Sequence, residues 1–224
     1  MTTILVTGAD RGIGAALVRG YSARGDAVIA ACLGEGADLK AEDIHVEAGV
    51  DVTNMASLEG LRDRLGDTRL DMVINNAGAF HPDKWPDFDT DAMLRLYDIN
   101  ALGPMRVVSA LEPLMGEGGK IGIITSRVGS LTDNSSGGMY GYRMSKAAGN
   151  VLGINLYHEL RPRGIAVMLL HPGRVATEMT EDLGSLGDFI TPEQSAAGLI
   201  ARMDSLGPDT PPEFRHINGT LLPW

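Results

Sequence analysis

Tyr142 and Lys146 stand four residues apart in the stretch Tyr142-Arg143-Met144-Ser145-Lys146. On a helix that spacing puts a phenol and an ammonium on one face, where both can reach a common ligand. A free tyrosine ionises near pH ~10 and is a poor acid–base group at neutrality. A neighbouring cation favours the phenolate and draws that value toward the working range. The bland alternative is an aromatic core residue beside a solvated lysine, and the pair alone does not separate the two.

A second constellation lies near the start of the chain. Thr7-Gly8-Ala9-Asp10-Arg11-Gly12-Ile13-Gly14 follows an apolar run at residues 4–7 and opens a stripe of Ile13, Ala16, Leu17 and Tyr21 at helical spacing. In a strand–turn–helix context, Gly8 permits the tight turn and Gly12 lets the backbone approach a pyrophosphate. Gly14 allows close packing of helix on strand. The helix N-terminus offers free N–H donors and positive potential to the phosphates. A glycine-rich turn with no ligand is the alternative.

The elements that would carry these residues are readable as alternating apolar runs and amphipathic stretches. Strands are predicted at 4–7, 27–32, 44–48, 72–75, 120–125 and 165–171, with a seventh near Phe214 or at 220–222. Met55, Leu58, Leu61 and Leu65 form another helical stripe, and a long helix is expected over 90–115, kinked or interrupted near Pro104. A helix from about 141 to 160 carries the Tyr–Lys pair, and Thr191-Pro192 marks the cap and first position of a last one. Repeated β-α-β units predict a single-domain α/β Rossmann fold, a doubly wound, mostly parallel sheet of about seven strands with helices on both faces. No repeat or linker suggests a second domain within 1–224.

The glycine spacing G-x-x-x-G-x-G together with Tyr142 and Lys146 resembles the classical short-chain dehydrogenase/reductase family. Further landmarks match in order. Asp51-Val52 resembles the pair that contacts adenine, and Asn75-Asn76-Ala77-Gly78 the NNAG segment bordering the cofactor cleft. Asn100, in Asp98-Ile99-Asn100-Ala101-Leu102-Gly103, and Ser126, ending the fifth strand, match the family's catalytic asparagine and serine. Pro172-Gly173-Arg174-Val175-Ala176-Thr177 matches the segment around the nicotinamide. The Tyr140-Gly141-Tyr142-Arg143-Met144-Ser145-Lys146 wording and the ending Gly219 to Trp224 look most like the C-factor-like, carbonyl-reductase branch.

This resemblance implies hydride transfer between nicotinamide C4 and a carbonyl or secondary alcohol. Tyr142 would exchange the proton, and Lys146 would lower its pKa and hold the nicotinamide ribose. Ser126 would bind the substrate oxygen, and Asn100 would position a water that links Lys146 to solvent. It implies cofactor contacts from Gly8, Asp10, Arg11, Gly12, Ile13, Gly14, Leu33, Asp51, Val52, Asn76, Ala77, Gly78, Tyr142, Lys146, Pro172, Gly173, Val175 and Thr177. Ser126 lies farther from Tyr142 than the family's usual spacing, with a loop insertion at 133–138 absorbing the difference. Ser130 is its rival by count, and Tyr140 is a rival phenol six residues from Lys146, off its helical face.

The coenzyme is expected to be NADP(H) in modest preference to NAD(H). A carboxylate at the end of the second strand would select NAD(H), but Ala31-Cys32-Leu33-Gly34 carries none there, and Arg11 sits where NADP users of the family place a base. Glu35 could reverse the preference.

Substrate selection is expected from residues 80–88, 127–139 and 178–190, which contain Phe80, Trp85, Leu131, Met139, Met179, Leu183, Leu186 and Phe189. That set suits an apolar or aromatic carbonyl or alcohol. Glu178, Glu181 and Asp182 make an anionic substrate less attractive.

Bulk properties exclude other classes. A formal net charge of −10 argues against nucleic acid and acidic membranes. Cys32 is the sole cysteine, the five histidines are scattered, and neither pattern suits a metal. No apolar run spans a bilayer and no signal peptide is recognisable, so the cytoplasm is expected. The long helices at 90–115 and 141–160 resemble the family's dimer surfaces, with Gly149 and Gly153 allowing close approach, so a homodimer is expected and a tetramer is possible. A retired dinucleotide-binding sensor of the same fold is the competing function. An epimerase with a similar Tyr–Lys pair would need a larger C-terminal domain.

Overall fold

The computed structural model describes residues 1–42, 44–183 and 188–224, except the side chains of 182 and 183. Seven strands form one parallel sheet in the order β3-β2-β1-β4-β5-β6-β7. They are β1 (Thr3–Thr7), β2 (Ala27–Ala31), β3 (His45–Glu47), β4 (Leu70–Asn75), β5 (Met115–Ile124), β6 (Ala166–His171) and β7 (Phe214–His216). The order reverses direction between β1 and β4, the position where ligands bind in doubly wound sheets. Arg215 also bridges Leu221, so both candidate segments for the seventh strand meet at the sheet edge.

Short runs suffice as strands because alternate side chains serve opposite faces. Leu5, Ile29, Val73, Ile121 and Leu169 enter one core, with helices α3 (Met55–Leu65), α5 (Gly103–Leu111) and α6 (Tyr140–Leu160). Ile4, Val6, Val28, Ile74 and Met168 enter the other, under α1 (Gly12–Ala23), α2 (Ala37–Ala41) and α7 (Pro192–Ser205). Cys32 is wholly buried in that second core. Thr191 caps α7 in a reciprocal box with Gln194, and Pro192 opens the helix.

The expected helix over 90–115 is three pieces. α4 (Thr90–Tyr97) passes into a π-turn at Asp98–Leu102 and then into α5, and Pro113 sits in a 3₁₀ turn before β5 begins at Met115. The irregularity falls at Asp98–Leu102, just ahead of Pro104, as expected of that proline: Pro104 has no N–H for the Asn100 carbonyl four residues back, and its ring crowds that carbonyl. Among the described residues no helix is long and apolar enough to cross a membrane.

Gly153 and Gly149 do not face outward. A Cβ at Gly153 would lie 2.7 Å from Leu169 on β6, and one at Gly149 would lie 3.3 Å from the Asn100 carbonyl. Both glycines serve packing within the chain. The exposed apolar residues of these helices are Leu94, Tyr97, Met105, Met144 and Val151.

Candidate active site

The glycine loop leaves β1 at the switch point. Gly8 and Gly12 have φ of +62° and +56°, and a Cβ on Gly8 would lie 2.7 Å from Ala77 Cα. A side chain at Gly14 would collide with the Gly8 carbonyl, so the loop and α1 tolerate only glycine there. Helix α1 begins with no side chain capping its first turn. Its orphan N–H groups and the close glycine backbone suit a pyrophosphate, so the donor set present fits a dinucleotide.

The NNAG segment ties this loop to the centre. Asn76 Nδ2 donates to the Thr7 and Gly8 carbonyls at 3.1 and 3.0 Å. Thr7 Oγ1 accepts from the N–H groups of Asn76 and Ala77, both at 3.2 Å. A Cβ at Gly78 would stand 3.1 Å from Asn100 Oδ1 and 3.6 Å from Lys146 Nζ. The fourth strand thus delivers its end directly against the Lys146 ammonium.

Tyr142 and Lys146 lie on one face of α6, with Nζ 5.7 Å from the phenol ring centroid. Nζ donates to the Ile124 carbonyl at 3.0 Å. Burial pushes the Lys146 ammonium down to about 8. Desolvation pushes the Tyr142 phenol up to about 12, and the hydrogen-bonding Ser126 hydroxyl pulls it the other way. Of the two causes, the loss of water around the phenol dominates.

Ser126 and Ser130 have different surroundings. Ser126, two residues past the end of β5, lies beside the phenol and accepts weakly from Val128 N–H at 3.4 Å. Ser130 Oγ donates to the Trp224 carbonyl at 3.0 Å and accepts from Asp133 N–H at 3.1 Å. Tyr140, at the first turn of α6, lines a recess of about 160 Å³ with Ser130, Leu131 and Met144.

Asn100 is buried, and its side chain is fully engaged. Oδ1 accepts from Ala79 N–H at 2.9 Å, and Nδ2 donates to the Ala79 carbonyl at 2.9 Å and to Ser145 Oγ at 3.0 Å. Ser145 Oγ in turn donates to the Tyr142 carbonyl at 2.8 Å. The π-turn lets Asn100 brace the end of β4 against α6, with its main-chain carbonyl turned toward Gly149.

The segment after β6 closes from the other side. A Cβ at Gly12 would lie 3.3 Å from Thr177 Cγ2, so the Pro172–Thr177 stretch faces the glycine loop. Val175 is buried and pairs with Ile190. Arg11 Nε lies 3.0 Å from Glu178 Oε2. Beyond β2, Val50 N–H donates to the Cys32 carbonyl at 2.8 Å, joining the loop of Leu33 to that of Asp51 and Val52. The Asp51 carboxylate accepts from Thr53 N–H and Oγ1 at 2.8 and 2.7 Å, and Leu33 is 66% exposed. Ile13 packs against the core, leaving its N–H as its contribution.

Two partners of the site were not foreseen. Phe80 meets the Tyr142 ring edge-on at 5.1 Å, a contact beyond the lid role expected of it. The Asp83 carboxylate caps α6 through the N–H groups of Tyr140 and Gly141, at 2.5 and 2.8 Å. An N-cap supplied from 57 positions away has no local sequence signal. His171 is buried beside His216, and burial pushes it down to about 3, so it remains neutral packing. Of the apolar lid set, Trp85, Leu131 and Met179 are exposed, whereas Leu186 lies outside the described residues.

The comparisons agree with this geometry. Residues 2–186 match the family model for short chain dehydrogenase. The chain is 51% identical, over the whole of both sequences, to a 1-hydroxy-2-glutathionyl-2-methyl-3-butene dehydrogenase of Rhodococcus sp. (strain AD45). It is 40% identical to C-signal of Myxococcus xanthus over 69% of this chain and 93% of that protein. A putative short-chain dehydrogenase/reductase from Burkholderia multivorans with bound NADP superposes with a TM-score of 0.90 at 30% identity, covering 100% of this chain and 99% of the other. With its sheet order, its glycine loop and its Tyr–Lys helix in one cleft, the chain belongs to the short-chain dehydrogenase/reductase family of oxidoreductases.

Proposed function

We propose that this oxidoreductase interconverts a secondary or primary alcohol and its carbonyl compound, with Tyr142 as the general acid/base. The observation that carries the reading is that Asn76, bonded to the glycine loop, is followed by Gly78 beside Asn100 and Lys146, with Tyr142 and Ser126 at the same place. When bound, the nicotinamide accepts or supplies the hydride. Tyr142 takes the alcohol proton during oxidation and returns it during reduction. Ser126 donates to the substrate oxygen where negative charge develops. Lys146 holds the ribose and supplies positive charge beside the phenol. Asn100 braces this set through Ala79 and Ser145, and its main-chain carbonyl is left to hold the water of the proton path.

For the coenzyme, Arg11 supports NADP(H), and the Burkholderia multivorans structure holds NADP. The Glu178 carboxylate on that guanidinium argues the other way. For the substrate, the exposed Trp85, Leu131 and Met179 favour an apolar body. The name of the Rhodococcus relative adds a glutathionyl-bearing alcohol to the candidates.

The test is turnover with either coenzyme on a panel of alcohols, aldehydes, ketones and 1-hydroxy-2-glutathionyl-2-methyl-3-butene. Ser126→Ala is expected to lose about 10²–10³-fold in kcat. Ser130→Ala is expected to stay within about twofold, since that hydroxyl serves the Trp224 and Asp133 backbones. Tight coenzyme binding with no turnover on any member would favour the retired sensor.

We also propose a homodimer through α4, α5 and α6, which carry the exposed apolar side chains of Leu94, Tyr97, Met105, Met144 and Val151. Sedimentation at micromolar concentration should give twice the 23.7 kDa chain mass, and a monomer would remove the proposal.

A further inference from the structure

Asp10 lies in the glycine loop, yet its carboxylate faces away from the helix that would hold the phosphates. Oδ2 accepts from Leu33 N–H at 2.9 Å and Oδ1 from Gly34 N–H at 2.8 Å. Leu33 and Gly34 lie just past the end of β2, where a dinucleotide fold reads the ribose 2′ position. The strand end itself offers no charge, because Leu33 is uncharged and exposed.

The carboxylate missing from the second strand is therefore supplied by the neighbouring loop. Its two backbone bonds fix its orientation and use about half of its acceptor positions. The remaining lone pairs can accept a ribose hydroxyl.

The surrounding charges point the same way. Arg11, the cation of this loop, is engaged by Glu178 at 3.0 Å, and Lys40 is engaged by Glu35 at 3.1 Å. Asp10, Glu178 and Arg11 together sum to one negative charge. A 2′-phosphate brings close to two more into the same space, whereas a 2′-hydroxyl brings a donor.

We infer that Asp10 is the specificity residue that selects NAD(H) over NADP(H) in this chain. The inference rests on the coenzyme-dependent reading proposed above and reverses the preference expected from Arg11 alone.

The experiment is equilibrium titration of the purified protein with NADH and with NADPH, in the wild type, Asp10→Asn and Glu178→Gln. The wild type should bind NADH at least about tenfold more tightly, and the gap should narrow at high salt, because screening weakens the repulsion. Asp10→Asn should shrink the ratio, chiefly by tighter NADPH binding. Glu178→Gln, which leaves the Asp10 contacts in place, should tighten NADPH by a smaller factor and leave NADH unchanged.

Tighter NADPH binding by the wild type overturns the inference while leaving the oxidoreductase reading intact. So does an unchanged ratio in a folded Asp10→Asn protein. If that variant fails to fold, the wild-type ratio and Glu178→Gln decide. Binding of neither dinucleotide removes the coenzyme reading itself.

Discussion

Tyr142→Phe is expected to lower kcat about 10²–10⁴-fold while leaving the coenzyme dissociation constant within about twofold. The substitution removes one hydroxyl and keeps the ring. The edge-on contact with Phe80 at 5.1 Å survives, and so does the ring beside Lys146 at 5.7 Å. What disappears is the group proposed to exchange a proton with the substrate oxygen, which is also the partner of Ser126. The folded state should not suffer. Desolvation already holds the phenol in its neutral form, so no charge interaction is lost, and the melting temperature should stay within about 2 °C. Tyr140→Phe is the control. That phenol lines the neighbouring recess and should lose less than about twofold. Full turnover by Tyr142→Phe would move the proton transfer elsewhere, with Tyr140 examined first. A parallel loss of coenzyme binding would instead show that the phenol holds the coenzyme.

The fold was legible because its signals are local. The central strands are apolar runs whose alternate members fill two cores, and the loop glycines have local reasons, a positive φ at Gly8 and Gly12 and the Gly8 carbonyl beside Gly14. The Thr191–Gln194 box and Pro192 mark a helix start within four residues. Tyr142 and Lys146 could be picked out by their spacing on one helix face, whereas Asn100 and Ser126 came only from the family resemblance.

Pro104 marked the irregularity in the helix, but not that it is a π-turn, nor that Asn100 there reaches Ala79 and Ser145 across the fold. The Asp83 cap of α6 and the Asp10 bonds to the segment past β2 escaped the sequence because they too are long-range. Each acts on backbone N–H groups of a segment far away in the chain, at Tyr140 and Gly141 or at Leu33 and Gly34. Backbone donors carry no residue type, so no pattern of side chains announces them. The glycines of α6 show the converse error. Small residues on a helix permit close approach, but only the packing reveals that Gly153 meets Leu169 of the same chain.

Lys146→Met is expected to abolish turnover and, at pH 7, to make the protein more stable. Lys146 is 5% exposed, and burial holds its ammonium at about 8 against an ordinary value of 10.5. The folded chain therefore binds this proton less well than the unfolded chain does. At pH 7 the difference costs the folded state at most about 3 kcal/mol. Methionine fills a similar volume with no charge to desolvate. It leaves the Ile124 carbonyl without its donor, which gives back about 1–2 kcal/mol. The net gain is about 1–2 kcal/mol, or roughly 2–6 °C in melting temperature for a chain of this size.

The sign of the pH dependence follows from the same shift. The wild-type penalty is complete below about pH 8 and disappears as pH rises toward the ordinary lysine value of 10.5. The advantage of Lys146→Met should accordingly be largest near pH 7 and shrink by pH 10. Paired thermal melts across that range check it. A variant less stable than wild type at pH 7, or a gap that does not change with pH, would show that the ammonium is well solvated or well paired in the fold. A charged lysine kept in a site where an uncharged side chain is more stable is what a functional demand on that charge produces, since selection for activity tolerates such a cost. The stability gain and the loss of turnover, measured on one variant, therefore test the same statement from both sides.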